Sequence, residues 1–199
     1  MLDAVDLTLQ PGTLAWVGGA NGAGKTTLLR IAAGLIAPER GSTRVWGNSP
    51  SHDGARFRRL VSFLPAGDRG LYARLTVVQQ LKLSARLWLL DPARVEAIVA
   101  GTLARFALQE LACRRVDRLS MGQRQRVRLA STFMVGAPLV LLDEPLTSLD
   151  TDGAELVHDA IEDVRADGGA VLWCSPTGER PHCQLDQALT LTNGALYVA

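Results

Sequence analysis

An octapeptide near the start of the chain has the residue types and spacing of a loop that grips phosphate. The stretch "GANGAGKT", residues 19–26, matches the pattern G-x-x-x-x-G-K-[ST]. Its glycines let successive backbone N–H groups turn toward an anion without a Cβ in the way. Lys25 would place a positive charge on the outer phosphates, and Thr26 would offer its hydroxyl to Mg²⁺. The remaining members of the predicted phosphate site are Asn21, Gly22, Ala23, Gly24 and Thr27.

Two acidic residues further along the chain could complete a metal-dependent hydrolytic site. Asp143 and Glu144 follow the apolar run in "LVLLDEP", residues 139–145. An acid at the end of a buried strand can bind Mg²⁺, and a second acid can orient or deprotonate an attacking water. We therefore predict that Asp143 and Thr26 are metal ligands and that Glu144 is the catalytic base. Alone, an Asp-Glu pair would indicate a solvated turn, but the loop in the same chain favours the chemical interpretation.

The candidate residues need strands and helices to position them. A buried strand is predicted at 14–17, directly before the loop, and a helix at 25–35, directly after it, which is the context that a phosphate-binding loop requires. Further strands are predicted at 6–10, 41–47, 60–65, 138–145 and 170–175. Further helices are predicted at 77–90, 93–108, 121–136 and 153–169. A closing hairpin is predicted at 187–199, with its turn at Asn193-Gly194.

The order of these elements predicts the fold class. Strand and helix alternate outside residues 76–118, which indicates an α/β fold with a largely parallel sheet. We expect a P-loop NTPase core with an N-terminal antiparallel strand portion and an inserted α-helical lobe. The chain is expected to be a single domain, 1–199, in which 1–75 carry the phosphate loop, 76–118 form the lobe and 119–199 form the rest of the core.

Composition narrows the classes of function. The formal net charge of the 199 residues is +1, so bulk charge implies neither nucleic acid nor an anionic membrane as a partner. The three cysteines are odd in number and lack CxxC spacing, which fits a reducing cytosol better than a disulfide framework or a zinc site. We expect no signal peptide and no membrane span.

A third motif gives the chain a family resemblance. The pentapeptide "LSMGQ", residues 119–123, would on its own pass for a serine helix cap. The phosphate loop, LSMGQ, "LLDEP" and "SLD" in this order resemble the nucleotide-binding subunit of an ATP-binding-cassette (ABC) transporter over nearly the whole chain. The resemblance implies a head-to-tail dimer that sandwiches two Mg-ATP molecules. Residues expected to reach the partner's nucleotide or cross the interface are Ser120, Gly122, Gln123 and Asp150.

The resemblance also implies partners and a location. The helical lobe and the segment leading into it would form a groove for a membrane permease subunit, with the chain peripheral on the cytoplasmic face. The second ATP-binding subunit is expected to be an identical chain. The compact chain is similar to the haem-export ATPases of cytochrome c maturation. One alternative is an exporter of drugs, lipids or polysaccharides. A second is a cassette that binds ATP with little hydrolysis and acts as a regulatory or structural partner of an active one. A third is a soluble cassette that acts on DNA or ribosomes, and the neutral net charge disfavours this one.

Three positions depart from the family pattern. Ala66 stands where the family usually has a glutamine that contacts Mg²⁺, and Asp68 is a candidate substitute. Pro176 stands where the family has a histidine that contacts the γ-phosphate, and His182 is a candidate replacement. The family's first strand and adenine-stacking aromatic residue should precede residue 1, so we expect either a truncated start or a different adenine site, since Trp16 lies in a predicted buried strand. Slow hydrolysis is the expected result.

Overall fold

A computed structural model describes residues 2–3, 5–181 and 183–199 of the chain. Within these residues, six strands form one sheet. Each strand consists largely of apolar or β-branched residues, and the first, third and fourth are buried at every position. The strands are β1 (Leu14–Gly18), β2 (Val61–Leu64), β3 (Leu139–Asp143), β4 (Ala170–Cys174), β5 (Gln187–Thr192) and β6 (Ala195–Val198).

The strand order of the sheet is β2-β3-β4-β1-β5-β6. All neighbouring pairs are parallel except β5–β6, which is antiparallel. The hairpin between β5 and β6 turns at Asn193 and Gly194, whose φ angles of 51° and 84° fit a two-residue turn that needs left-handed backbone. The predicted α/β class with a largely parallel sheet is confirmed.

One face of the sheet packs against the helix that follows the phosphate loop. This helix, α1 (Lys25–Ala32), buries Leu28 and Leu29 against the central strands, together with Phe57 of the short helix α2 (Gly54–Leu60). Since β1, β3 and β4 are buried on both faces, their sequences show apolar runs without the alternation of a half-exposed strand.

The remaining helices are α3 (Val77–Leu87), α4 (Val95–Arg105), α5 (Met121–Phe133) and α6 (Thr151–Ala166), with single 3₁₀ turns at Gln109–Leu111, Val116–Arg118 and Thr177–Glu179. Helix α3 packs against α4 and α5, and a tilted pair of rings, Phe106 and Phe133, lies 6.1 Å apart between centroids. Thr76 and Gln79 start α3 with a reciprocal capping box. No helix among the described residues is both long and apolar enough to cross a bilayer.

The chain divides into two compact units. Unit 1 comprises Met1–Ala66, Ala137–Pro145 and Ile161–Ala199 and contains the whole sheet with α1 and α2. Unit 2 comprises Gly67–Gly136 and Leu146–Ala160 and contains α3, α4 and α5. The division of the chain into 1–75, 76–118 and 119–199 within one domain stays a prediction.

Two predicted strands are absent from the described part of the chain. Residues 5–10 alternate between partly buried and exposed positions, and Val5, Leu7 and Leu9 pack against the core, but no neighbouring backbone pairs with them as a ladder. Residues 41–47 turn instead of extending, because Trp46 and Gly47 adopt φ angles of 46° and 76° and Val45 forms only an isolated bridge with Asn48. The expected antiparallel portion is therefore not N-terminal, and the antiparallel pair of the sheet is the C-terminal hairpin.

Candidate active site

The loop between β1 and α1 has the backbone of an anion cradle. Gly22 and Gly24 adopt φ angles of 82° and 108°, which favour glycine, and the space that a Cβ of Gly22 would fill is open. Gly24 is the N-cap of α1 and leaves that helix end without a side-chain cap hydrogen bond. The backbone N–H groups and partial positive charge of the first turn are thus available to an anion. Asn21 and Thr27 are exposed at this loop, whereas Ala23 and Thr26 are half-buried.

The ammonium of Lys25 is folded over the loop. Its Nζ donates to the carbonyl oxygens of Gly19 at 2.7 Å and Ala20 at 3.0 Å, and only 6% of the residue is exposed. A buried ammonium needs such acceptors, because its charge loses the solvation of water. The positive charge is consequently fixed at the loop that the sequence predicts to hold phosphate.

The two predicted metal ligands meet in the structure. The hydroxyl of Thr26, in the first turn of α1, donates to Oδ2 of Asp143 at 2.8 Å. Asp143 ends β3 and is 1% exposed. These residues are 117 positions apart in the sequence, and the parallel sheet brings them together at the carboxyl edge of its strands.

Glu144 follows at the same edge with an unusual backbone. Its φ is 52°, in the left-handed region that a glutamate rarely adopts, and its N–H donates to the carbonyl oxygen of Cys174 at 2.8 Å. Such a conformation costs about 1–3 kcal/mol and clusters at functional sites. Burial raises the pKa of the Cys174 thiol and the Asp143 carboxylate raises it further, so Cys174 stays a neutral, packed thiol.

The arrangement fits Mg²⁺ together with a phosphate chain. Magnesium takes oxygen ligands, keeps several waters and is held through one or two carboxylates plus substrate phosphates. The hydroxyl of Thr26 and the carboxylate of Asp143 supply that minimal set beside an uncapped helix end and a lysine. Among the described residues, no group of three or more His, Cys, Asp or Glu forms an all-protein metal cage.

A second group of predicted residues lies at the start of α5, in unit 2. Ser120 is the N-cap: its Oγ accepts from the Gln123 N–H at 3.2 Å, and Gln123 Oε1 accepts from the Ser120 N–H at 3.0 Å. The serine of LSMGQ is thus a helix cap, as its sequence alone would suggest. Ser120 is also exposed, so a partner can reach it. A Cβ at Gly122 would approach the Ser148 carbonyl oxygen at 2.6 Å, so only glycine fits there.

The segment "SLD", residues 148–150, starts α6 beside this cap. Ser148 adopts a φ of 64°, and Asp150 Oδ1 accepts from the Gly153 N–H at 2.9 Å. Asp150 is exposed. The structure thus brings the predicted residues together as two groups, one per unit, and their roles toward a nucleotide stay predictions.

A hydrogen-bonded turn follows β4, where the resemblance leads us to expect a histidine. Ser175, 2% exposed, accepts from the indole N–H of Trp16 at 2.8 Å and donates to the Glu179 carbonyl oxygen at 2.8 Å. The Glu179 N–H donates to the Pro176 carbonyl oxygen at 2.9 Å, which closes the turn. The guanidinium of Arg180 lies 5.6 Å from the centroid of the Trp16 ring. His182 falls outside the described residues.

Ala66 follows the end of β2 and its methyl side chain has no polar atom to offer. Asp68, the candidate substitute for the glutamine that the resemblance leads us to expect, accepts from Arg124 Nη1 at 3.1 Å in unit 2. Its carboxylate already has a cationic partner, which disfavours the substitution.

Sequence reasoning missed the link between Trp16 and Ser175. It correctly placed Trp16 in a buried strand, where 2% of the residue is exposed, but gave it no role. Gly18 is a trace of the buried indole in the sequence, because a Cβ added at residue 18 would overlap the far end of the Trp16 ring. This glycine therefore makes room for an indole.

Comparisons with known proteins agree with this geometry. The family model described as "ABC transporter" matches residues 2–147. A "Cytochrome c biogenesis ATP-binding export protein CcmA" from Methylococcus capsulatus is 37% identical over 177 residues, covering 88% of this chain and 83% of that protein. An "ABC transporter ATP-binding protein NatA" from Bacillus subtilis is 30% identical over 190 residues, covering 96% of this chain and 77% of that protein.

A solved structure described as the ATP-binding subunit of an ABC transporter superposes with a TM-score of 0.90. The two proteins are 26% identical, and the match covers 99% of this chain and 83% of the other. The likeness therefore extends to both units of the chain and not only to the phosphate loop.

Proposed function

The chain belongs to the ABC transporter family as one of its ATP-binding subunits, and from that premise we propose that it binds and hydrolyses Mg-ATP in a dimer to power export through a membrane permease. Membership of the family implies ATP hydrolysis. The observation that carries the proposal is the 2.8 Å hydrogen bond between Thr26 and Asp143, which joins the predicted metal ligands beside the loop of Lys25.

Each residue of the site has a proposed task. The loop N–H groups and Lys25 bind the β- and γ-phosphates. Thr26 and Asp143 hold Mg²⁺, which when bound neutralises charge on the phosphates. Glu144 accepts the proton of the attacking water, and its strained backbone fixes the carboxylate in place. Asn21, Gly22, Ala23, Gly24 and Thr27 complete the phosphate site.

The dimer supplies the rest of the site. Ser120, Gly122 and Gln123 of one chain face the nucleotide held by the other, and Asp150 crosses the interface. The exposure of Ser120 and Asp150 in the single chain supports this assignment, because residues of an interface must be accessible before the dimer forms.

The relatives support a membrane permease as partner and an exported cargo. The permease docks on the helical lobe, so the chain is peripheral on the cytoplasmic face of the membrane. The export proteins among the relatives support an exporter, with haem-type cargo as the leading candidate. A permease encoded beside this chain and co-purifying with it would test both the partner and, through reconstituted transport, the cargo.

Substitution of Asp143 tests the site directly. Asp143→Asn keeps an acceptor for the Thr26 hydroxyl but loses the charge that Mg²⁺ requires. We expect Mg-dependent ATP hydrolysis to fall at least about a hundredfold, which corresponds to about 2.7 kcal/mol of lost transition-state stabilisation, while ATP binding without Mg²⁺ is kept. Asp167→Asn, an exposed acid, is the matched control. Hydrolysis at the wild-type rate in Asp143→Asn would remove the metal assignment.

A further inference from the structure

Trp16 of β1 contacts both ends of the turn that follows β4. Its indole N–H donates to Ser175 Oγ at 2.8 Å, and the guanidinium of Arg180 lies 5.6 Å from the centroid of the same ring. Ser175 Oγ in turn donates to the Glu179 carbonyl oxygen at 2.8 Å. One side chain of the central strand β1 is therefore attached to the beginning and to the end of this turn.

The hydrogen bond between Trp16 and Ser175 is shielded from water. Each of the two residues is 2% exposed. The Ser175 hydroxyl accepts from the indole and donates to the turn, so both of these bonds depend on one side-chain rotamer. A buried hydroxyl that loses such a donor has no water to replace it, which makes the bond a firm constraint on the end of β4.

The peptide unit that joins Cys174 to Ser175 connects β1 to the proposed catalytic base. Its carbonyl oxygen, from Cys174, accepts from the Glu144 N–H at 2.8 Å. Its N–H, from Ser175, donates to the Val17 carbonyl oxygen at 3.3 Å, beyond the usual range of about 2.7–3.2 Å. The backbone alone holds this peptide unit loosely to β1, and the side-chain bond from the indole supplies the tighter attachment.

The backbone of Glu144 depends on this peptide unit. Its φ of 52° is a conformation that a glutamate keeps only where the surrounding structure enforces it. A rotation of the peptide unit between Cys174 and Ser175 would move the oxygen that accepts from the Glu144 N–H, and the glutamate would move with it. A displacement of about 1 Å in a catalytic group can cost about a hundredfold in rate, so a smaller shift is already measurable.

We propose that Trp16 is a positioning residue for ATP hydrolysis, and that its indole N–H acts through Ser175 to hold Glu144 where that carboxylate accepts the proton of the attacking water. The inference rests on the proposed function, because it takes Glu144 as the base. Lys25 is held by other contacts, its bonds to two carbonyl oxygens of the phosphate loop, so the affinity for ATP should not depend on the indole N–H.

Two substitutions remove the same hydrogen bond from opposite sides. Trp16→Phe keeps an aromatic ring but loses the N–H, and Ser175→Ala loses the hydroxyl without opening a large cavity. We expect each to lower the single-turnover rate of Mg-ATP hydrolysis about tenfold, which corresponds to about 1.4 kcal/mol, and to leave the calorimetric affinity for Mg-ATP unchanged. Because both act through one bond, the double variant should be about as slow as either single variant.

Trp173→Phe is the matched control. Trp173 lies opposite Trp16 in the β1–β4 ladder and is 1% exposed, so its change to phenylalanine removes a comparable part of a buried indole. We expect it to lower the thermal stability about as much as Trp16→Phe does and to keep the single-turnover rate. An equal loss of rate in the two tryptophan variants would overturn the proposal, because it would show a general loosening of the sheet.

The Glu144→Gln variant tests the route of the effect. If Trp16 acts only through Glu144, Trp16→Phe should not slow the residual hydrolysis of Glu144→Gln any further. A further loss in that background, or the wild-type rate in either Trp16→Phe or Ser175→Ala, would overturn the inference, while a slow Glu144→Gln leaves the proposed function standing. A wild type that binds Mg-ATP without hydrolysing it, or a Glu144→Gln variant at the wild-type rate, would remove both.

Discussion

At the scale of single residues, replacement of Lys25 is the most direct test of the phosphate site. Its ammonium donates to two loop carbonyl oxygens, and it is the positive charge of the proposed anion cradle. Lys25→Ala should weaken Mg-ATP binding about a hundredfold or more, because it removes charge-assisted hydrogen bonds worth about 1.5–3 kcal/mol each. Titration calorimetry measures the affinity. Lys82→Ala, at a lysine paired with Glu96 in unit 2, is the control and should bind normally. Unchanged affinity in Lys25→Ala would remove the phosphate-loop assignment.

We propose that Pro176 limits the rate of ATP hydrolysis. The residue carries no side-chain donor, and the turn it begins is closed by Ser175 and Glu179. We expect slow ATP hydrolysis by the wild type and a faster rate in Pro176→His, where tenfold requires about 1.4 kcal/mol, roughly one charge-assisted hydrogen bond. Steady-state phosphate release measures both.

Pro176→Ala is the control that separates a loosened backbone from an added imidazole, and it should stay slow. A fast wild-type enzyme would show that another group already contacts the γ-phosphate. A slow wild type with no gain from histidine would favour the cassette that binds ATP with little hydrolysis.

At the scale of elements, the start of α5 is a capping box, and we propose that it also contacts the partner's nucleotide. Ser120→Arg should leave ATP binding by one chain intact and prevent ATP-dependent dimerisation, because arginine is too large beside the partner's nucleotide. Loss of the cap also costs about 1 kcal/mol of stability. Thr76→Arg, which breaks the same kind of capping box at the start of α3, is the matched control and should still dimerise. A dimer seen by light scattering in Ser120→Arg with ATP would contradict the sandwich arrangement.

The elements also show how far the sequence alone could predict the structure. The buried strands and the helices were predictable because apolar runs and helical spacing report burial and period directly. The segments at 6–10 and 41–47 were not, because alternation reports which side chains face the core but not whether a neighbouring backbone is there to pair. The short helix α2 was missed, since seven residues with three arginines carry little periodicity.

The candidate site, like the elements, could be predicted only where the signal is local in the sequence. The positions of the loop, Asp143 and Glu144 at one edge of the sheet could be expected from motifs, because these motifs depend on local spacing, and their chemical roles stay predictions. The hydrogen bond from Trp16 to Ser175 joins residues 159 positions apart, and no local pattern encodes such a pairing.

At the scale of the whole molecule, the proposed catalytic cycle requires two chains to meet. Glu144→Gln keeps the shape of the side chain and loses the base, so hydrolysis should fall by about 10²–10⁴ while ATP binding is kept. With hydrolysis blocked, this variant should persist as a dimer in Mg-ATP, measured by light scattering. Glu155→Gln, an exposed glutamate of α6, is the control and should hydrolyse normally. Hydrolysis at the wild-type rate in Glu144→Gln would show that Glu144 is not the base.

The contact between Gly18 and the Trp16 ring constrains the order in which this strand can evolve. Any side chain at residue 18 would overlap the indole, so a larger residue there is tolerated only after Trp16 has become small. Loss of the indole first would leave the Ser175 hydroxyl without its donor and a cavity beside the central strand β1. The two positions are therefore epistatic, because a side chain at residue 18 clashes while Trp16 is present and fits only once residue 16 is small.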